Sequence, residues 1–272
     1  MKTVQKMWMN TAILSATLTA ALPAMAAEQR CTWASPAHKV VLVELFTSEG
    51  CSSCPPADRW LSSRLKTPEL ATQVLPLAFH VDYWDYIGWK DPYGSPQYTA
   101  RQYGHRNIGH TRGIYTPQVV MNSAESRDWN LRSTLSRQLA TAQKIPVPWA
   151  LQLETIPADS GKLNATVRIQ DTEGAVDGEA TVTVVLYEDG LTSAVNSGEN
   201  RGEVLTHDGV VRRVFGPYPV SKVKAGIPIQ ALLPSAWKSS QLGVGAFVEA
   251  RGTGEVLQAL NAPKALSQCP NS

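Results

Sequence analysis

The chain has 272 residues, 43% of them hydrophobic and 18% charged, with a formal charge of +2. That balance excludes a disordered chain and an all-membrane protein, and the length accommodates two modest domains.

The N-terminal 26 residues read as a leader. Lys2 and Lys6 precede an apolar segment over 12–22, AILSATLTAAL, and Ala24-Met25-Ala26 supplies a small-x-small cleavage site. This is the pattern of a secretory signal peptide over 1–26. A membrane anchor is disfavoured, because the apolar run is about half of the roughly 20 residues a spanning helix needs. Cleavage before Ala27 removes two lysines and no acids, which takes the formal charge from +2 to zero. A neutral mature chain has no net attraction for nucleic acid or an anionic membrane. Neither is expected as a partner, and no membrane span is expected once the leader is gone. The expected location is the periplasm or the exterior.

An extension over 27–38 follows. The segment 40–47 is an apolar run suited to a strand buried on both faces. Residues 54–65 suit a helix, with Pro55 and Pro56 in its first turn and Trp60, Leu61 and Leu65 on its apolar face. A second strand is expected over 74–81, a more polar helix over 95–106, and a short strand over 119–121. A helix over 129–143 is expected to bury the stripe Leu131, Leu135 and Leu139. This alternation describes an α/β domain over 39–144 whose sheet starts out mainly parallel. Ile145-Pro-Val-Pro148 forms a stiff linker over 145–149. Beyond it the pattern turns to strands over 163–170, 181–188 and 243–249, with a tight hairpin at Asp189-Gly190 and a turn at 252–254. That spacing predicts a β-sandwich over 150–265 and a tail over 266–272.

Export changes how four cysteines are read, because thiols oxidise outside the cytosol. Three connectivities are possible. Cys31 and Cys269 lie at the two ends of the mature chain and are the expected structural disulfide, leaving Cys51 and Cys54 to each other. This close pair follows a strand and opens a helix. There the unpaired N–H groups favour a thiolate on Cys51, which attacks in disulfide exchange, while Cys54 resolves the mixed disulfide. Glu49 opposes part of that effect. Cys51 is expected to be the more exposed sulfur. A zinc site would need about four ligands and the chain has no second Cys-x-x-Cys; haem attachment would need His where Pro55 stands. A purely structural disulfide remains the plain alternative.

Glu44 is an acid inside the apolar strand. It reads as an ion-paired residue, an edge position, or a buried acid that moves protons for Cys54. Pro117 precedes the short strand over 119–121, and a cis Thr116–Pro117 bond there would present the backbone of Thr116 to a partner chain opposite the cysteines.

The segments VELFTSEGCSSC and YTPQVV together resemble the thioredoxin superfamily. The resemblance implies a thioredoxin-like domain, a mixed sheet flanked by helices, in which Cys51, Cys54 and the Thr116–Pro117 loop form the active centre. The Ser-Ser between the cysteines differs from thioredoxin itself, so no redox potential carries over. FTSEGCSSCPPAD, FHVDYWDYIGWKDPY, YTPQ and NSGENRGEVLTHDGVVR are similar to the secreted domain-of-unknown-function family 1223, over nearly the whole mature chain.

Within HVDYWDYIGWKDPY, residues 80–93, the aromatic residues read as packing against the second domain or as one wall of a substrate groove. His80 and Asp82, two apart on a strand, share a face and form a His–Asp pair beside Cys51, or hold Cu(I) or Zn(II) together with the cysteines. The loops 196–202 and 207–209, with Glu199, Arg201 and His207, read by default as solvated. The expected function is thiol–disulfide exchange with exported cysteine-containing proteins or a redox partner, needing no cofactor. The alternatives are a binding or assembly module with a static crosslink, and a metal-delivery protein.

Overall fold

The computed structural model describes residues 1, 3, 30–156, 161–172 and 179–270. The expected leader lies outside these, apart from positions 1 and 3. Among the described residues no helix is long and apolar enough to cross a membrane.

The N-terminal half contains β1 (Cys31–Ala34), β2 (Val41–Thr47), α1 (Pro55–Trp60, continuing as a wider π turn over Leu61–Leu65) and β3 (Val74–His80). It continues with α2 (Pro96–Asn107), β4 (Gln118–Met121), β5 (Ala124–Glu125) and α3 (Arg132–Ala142). The C-terminal half contains β6 (Trp149–Ile156), β7 (Lys162–Asp171), β8 (Ala180–Glu188), β9 (Leu191–Ala194) and β10 (Val204–His207). It ends with β11 (Val210–Pro219), α4 (Val220–Val223), β12 (Ile227–Leu232), β13 (Leu242–Ala250) and β14 (Val256–Ala262).

The protein is mostly β, a mixed sheet with helices. The large sheet has eight strands in the order β14-β13-β8-β11-β3-β2-β4-β5, so strands of both halves share it. β2 and β3 are parallel, and β4 runs antiparallel to β2. Both faces of β2 are covered, which explains its unbroken apolar sequence. Val41, Val43 and Leu45 pack with Ala57, Leu61 and Leu65 on one side. Leu42 and Phe46 pack with Leu75, Phe79 and Tyr98 on the other.

The halves meet where β11 runs parallel to β3 through Val210 and Ala78, with Ala78 N donating to Gly209 O at 2.8 Å. Gly209 adopts φ +68°, and an added Cβ would lie 2.9 Å from Pro76 O, so this seam has no room for a side chain. The smaller sheet, β1-β6-β7-β12, packs its Leu151, Leu153, Val167 and Ile229 against Val182, Val184, Val244 and Ala246 of the larger one.

Two local expectations are corrected. Asp189-Gly190 does not close a hairpin between adjacent strands: β8 already has β11 and β13 on its two sides, and β9 pairs instead with β10. The Asp189 carboxylate is used by Lys66 Nζ at 2.6 Å and Gly209 N at 2.7 Å. The helix expected from 129 begins at Arg132, leaving Leu131 outside it and 53% exposed.

Cys31 and Cys269 are joined by a disulfide across 238 positions. Cys31 also pairs with Thr155 of β6, whose hydroxyl donates to Ala265 O at 2.9 Å, so both chain ends are fastened to one strand. For so long a loop the chain-entropy model gives about 5 kcal/mol. Replacing both cysteines with serine is expected to lower the melting temperature by roughly 10 °C or more, measured by calorimetry.

Candidate functional site

The site lies at the C-terminal end of β2. The chain turns after Thr47, with Cys51 N donating to Ser48 O at 3.1 Å and Cys54 N to Cys51 O at 3.1 Å. Pro55 and Pro56 then open α1, where a missing N–H costs little. Cys51 and Cys54 are disulfide-bonded. Cys51 is expected to be the more exposed of the two; both residues are buried, Cys51 at 1% and Cys54 at 0% exposure.

What covers them is a loop of the C-terminal half, over 196–202. Asn200 Nδ2 donates to Glu49 O at 2.8 Å and Cys51 O at 3.0 Å. Glu199 Oε2 accepts from Ser52 N at 2.9 Å and Ser52 Oγ at 2.8 Å. This loop is therefore not merely solvated; Asn200 itself is buried. Removing the two Asn200 bonds, each worth about 1 kcal/mol, should favour opening by roughly tenfold or more. Asn200→Ala is accordingly expected to speed reduction of the Cys51–Cys54 bond by dithiothreitol about tenfold, followed by quenched thiol labelling.

Thr116–Pro117 is a cis peptide. Trp84 ties this loop to the cysteine turn. Its Nε1 donates to Thr116 Oγ1 at 2.7 Å, and its Cβ lies 3.1 Å from where a Cβ on Gly50 would sit. A side chain at position 50 would press on Trp84. Tyr86 stacks on Trp84 at 6.4 Å and is 82% exposed. The aromatic segment thus contributes an open edge beside the cysteines. On its other side Tyr93 meets His207 at 5.9 Å.

Beside the cysteine turn lies a buried cluster of three carboxyl groups and two imidazoles: Glu49, Asp58, Asp91, His80 and His207. His80 Nδ1 is 2.8 Å from Asp91 Oδ2, and His207 Nε2 is 3.1 Å from Glu49 Oε1. The imidazole rings meet edge to face at 5.0 Å. Trp89 Nε1 donates to Glu49 Oε2 at 2.9 Å. Burial works against the charge on Asp91, yet His80 and the N–H groups of Glu49 and Tyr93 hold its carboxyl below the usual range. Burial likewise opposes charge on His80, and Asp91 overcomes it, raising the imidazole pKa. Asp58 has weaker support, so burial raises its pKa against the pull of His207 and His80.

The expected His80–Asp82 pair is corrected. Asp82 lies beyond the end of β3 and accepts from Thr99 Oγ1 at 2.6 Å, so it joins neither His80 nor a ligand set with the cysteines. Glu44 takes the ion-paired reading. Its side chain points to the α2 face, where it meets Arg101 and, at 3.0 Å, His105 Nε2. Arg101 also reaches Glu249 at 2.9 Å. Asp58, Asp91, Glu49 and Asn200 were not singled out for these roles by the sequence reading. Asp58 had a visible signal: it stands at i with Leu61 at i+3 and Leu65 at i+7, a carboxylate on a buried face. Asp91 and Asn200 had none, because their partners are far along the chain.

Two solved structures share the fold. Protein AGR_C_4864 from Agrobacterium tumefaciens is 24% identical, with a TM-score of 0.58 over 86% of this chain and 99% of that one. HBP35 of Porphyromonas gingivalis is 12% identical, with a TM-score of 0.60 over 88% of this chain and 79% of that one. No functionally curated protein matches the sequence. A family model described as "Protein of unknown function (DUF1223)" matches residues 42–249, most of the chain, and the protein therefore belongs to the DUF1223 family.

Proposed function

We propose that the protein is an exported thiol–disulfide oxidoreductase that exchanges disulfides with other exported proteins. The observation that carries this reading is a disulfide three residues wide at the start of a helix, beside a buried cluster of titratable groups. Structural disulfides gain stability from long loops, and this one closes a very short one. A static role therefore leaves the cluster without a purpose. The parallel β2–β3 pair, the Cys-x-x-Cys at α1 and the cis Thr116–Pro117 bond support a thioredoxin-like reading of the N-terminal half. In this reading Cys51 is the nucleophile and Cys54 the resolving thiol. The backbone at Thr116–Pro117 aligns an extended substrate segment beside Trp84 and Tyr86. The leader pattern supports export, and the zero formal charge expected for the mature chain offers no net attraction for nucleic acid.

One observation favours a second reading, a static crosslink in a binding module: both sulfurs are buried under the 196–202 loop. Catalytic turnover separates the two. The mature protein, at a tenth of the substrate concentration, is expected to accelerate reduction of insulin disulfides by dithiothreitol. No acceleration, with a pair that dithiothreitol leaves intact in the folded protein, favours the static crosslink.

A further inference from the structure

β11 has a free edge. On one side it pairs with β8 along its length; on the other it meets β3 only at Val210. Tyr98 Oη donates to Val211 O at 2.9 Å, and from Arg212 onward this edge has no strand partner among the described residues. Pro217 and Pro219 carry no backbone N–H, so the stretch open to pairing is 212–216. A groove of about 390 Å³ runs beside it, lined in part by Tyr93, Tyr98, Arg212, Arg213, Phe215 and Trp237.

A β-bulge brings both arginines into this groove. Val211 pairs with Tyr187 and Arg213 with Leu186, which leaves Arg212 as the extra residue. In a regular strand neighbouring side chains point to opposite faces. Here both guanidinium groups lie over Trp237, Arg212 at 4.5 Å and Arg213 at 5.3 Å from the ring centre. Arg212 also lies 5.1 Å from the Tyr93 ring. Among the described residues one carboxylate meets this pair of charges. Glu188, 2% exposed, is 3.4 Å from Arg212 Nη1 and accepts from Lys238 N at 3.2 Å. Arg213 has no ion-pair partner among the described residues, and no acid lines the groove. One positive charge is left over.

We propose that this groove docks an extended acidic segment of an exported substrate protein, added as a strand to β11 over 212–216. An open strand edge offers backbone N–H and C=O groups at the spacing of an extended chain, and a small anion would leave them unused. A second copy of the same edge would bring two more arginines against these, and like charges directly opposite are destabilising. An acidic side chain meets Arg213, whose planar fork suits a carboxylate and whose stacking on Trp237 holds it in place.

The identity of the docked chain as a substrate rests on the exchange reading above. The groove anchors that chain away from the sulfurs but in contact with their surroundings. From Arg212 the contacts lead to Tyr93, from Tyr93 to His207 at 5.9 Å, and from His207 to Glu49 of the cysteine turn. The C-terminal half thereby takes part in choosing substrates, since β11 supplies both arginines and the open edge.

The test uses the full mature chain and a short fluorescein-labelled peptide of alternating valine and glutamate with both ends blocked. Matching peptides carry glutamine or lysine in place of glutamate. Anisotropy titration is expected to show saturable binding of the glutamate peptide below about 1 mM and roughly tenfold weaker binding of the other two. Arg213→Ala, which breaks no ion pair, is expected to weaken the glutamate peptide about tenfold. Amide hydrogen exchange over 212–216 in the wild type is expected to slow when that peptide is added, which reads strand addition without any variant. No binding, equal binding of the three peptides, or unchanged affinity in Arg213→Ala overturns the proposal. Free glutamate that displaces the peptide at equal concentration, with no slowing of amide exchange, overturns the extended chain as the occupant. If Arg213→Ala fails to fold, the peptide series and the amide exchange decide on the same terms. No sulfur chemistry enters these measurements, so failure here is distinguishable from failure of the exchange reading, which the insulin assay reports. Without turnover in that assay the substrate role of the docked chain falls as well.

Discussion

Cys51→Ser is expected to abolish catalysed disulfide exchange, reducing insulin turnover to the uncatalysed rate. Cys54→Ser is expected to have a different effect. Without the resolving thiol, Cys51 still attacks a partner disulfide, but the mixed disulfide persists. Partner proteins should then be captured covalently and released by reductant, and gel analysis without reduction should show them as shifted bands. Burial sets a condition on both outcomes. With Cys51 1% exposed, the Asn200 and Glu199 contacts over the cysteine turn must open before any sulfur reacts. Asn200→Ala in the Cys54→Ser background should therefore increase capture. If Cys51→Ser leaves turnover unchanged, the nucleophile has been misassigned.

The second large effect is on stability. Glu44 is 1% exposed, and its charge is compatible with burial only through Arg101 and His105. Arg101→Leu removes the guanidinium and leaves two carboxylates, Glu44 and Glu249, where an ion-paired triad stood. Breaking a buried ion pair on one side costs about 3–5 kcal/mol. For a protein of this size that lowers the melting temperature by roughly 10 °C. Burial tends to raise the Glu44 pKa, but Arg101 and His105 outweigh it and hold it at about 2, below the usual glutamate range. A depressed folded-state pKa contributes stability that is present above the unfolded value and lost as pH falls through the folded one. Stability should therefore decline between about pH 4.5 and pH 2, and Glu44→Gln should flatten this part of the profile. Urea denaturation across that range measures both effects.

The sequence carried the local features well, because their causes are local. The two prolines after Cys54 announced α1, the polar stretch over 95–106 announced α2, and the apolar runs announced β2 and β3. What it did not carry depends on distant pairing. The Asp189-Gly190 turn looked like a hairpin, but the choice of β9's partner is made by β8's two other neighbours. The His80–Asp82 spacing suggested a pair, but β3 ends at His80 and the chain returns Asp91 to the imidazole eleven residues later. Asn200 and His207 reach the cysteine turn and Glu49 only because β11 docks on β3, a contact that no local pattern encodes. The cysteines were legible as a pair, while their cover was not.

The central claim is that the Cys51–Cys54 disulfide is a working redox couple and the Cys31–Cys269 disulfide is a structural one. Equilibrating the folded protein in graded glutathione buffers, then labelling free thiols and mapping the peptides, tests it most directly. The account predicts that Cys51 and Cys54 open and close reversibly at a potential between about −120 and −270 mV, the range of known exchange proteins. Cys31 and Cys269 stay joined throughout. A Cys51–Cys54 bond that resists every buffer until the protein unfolds would contradict it.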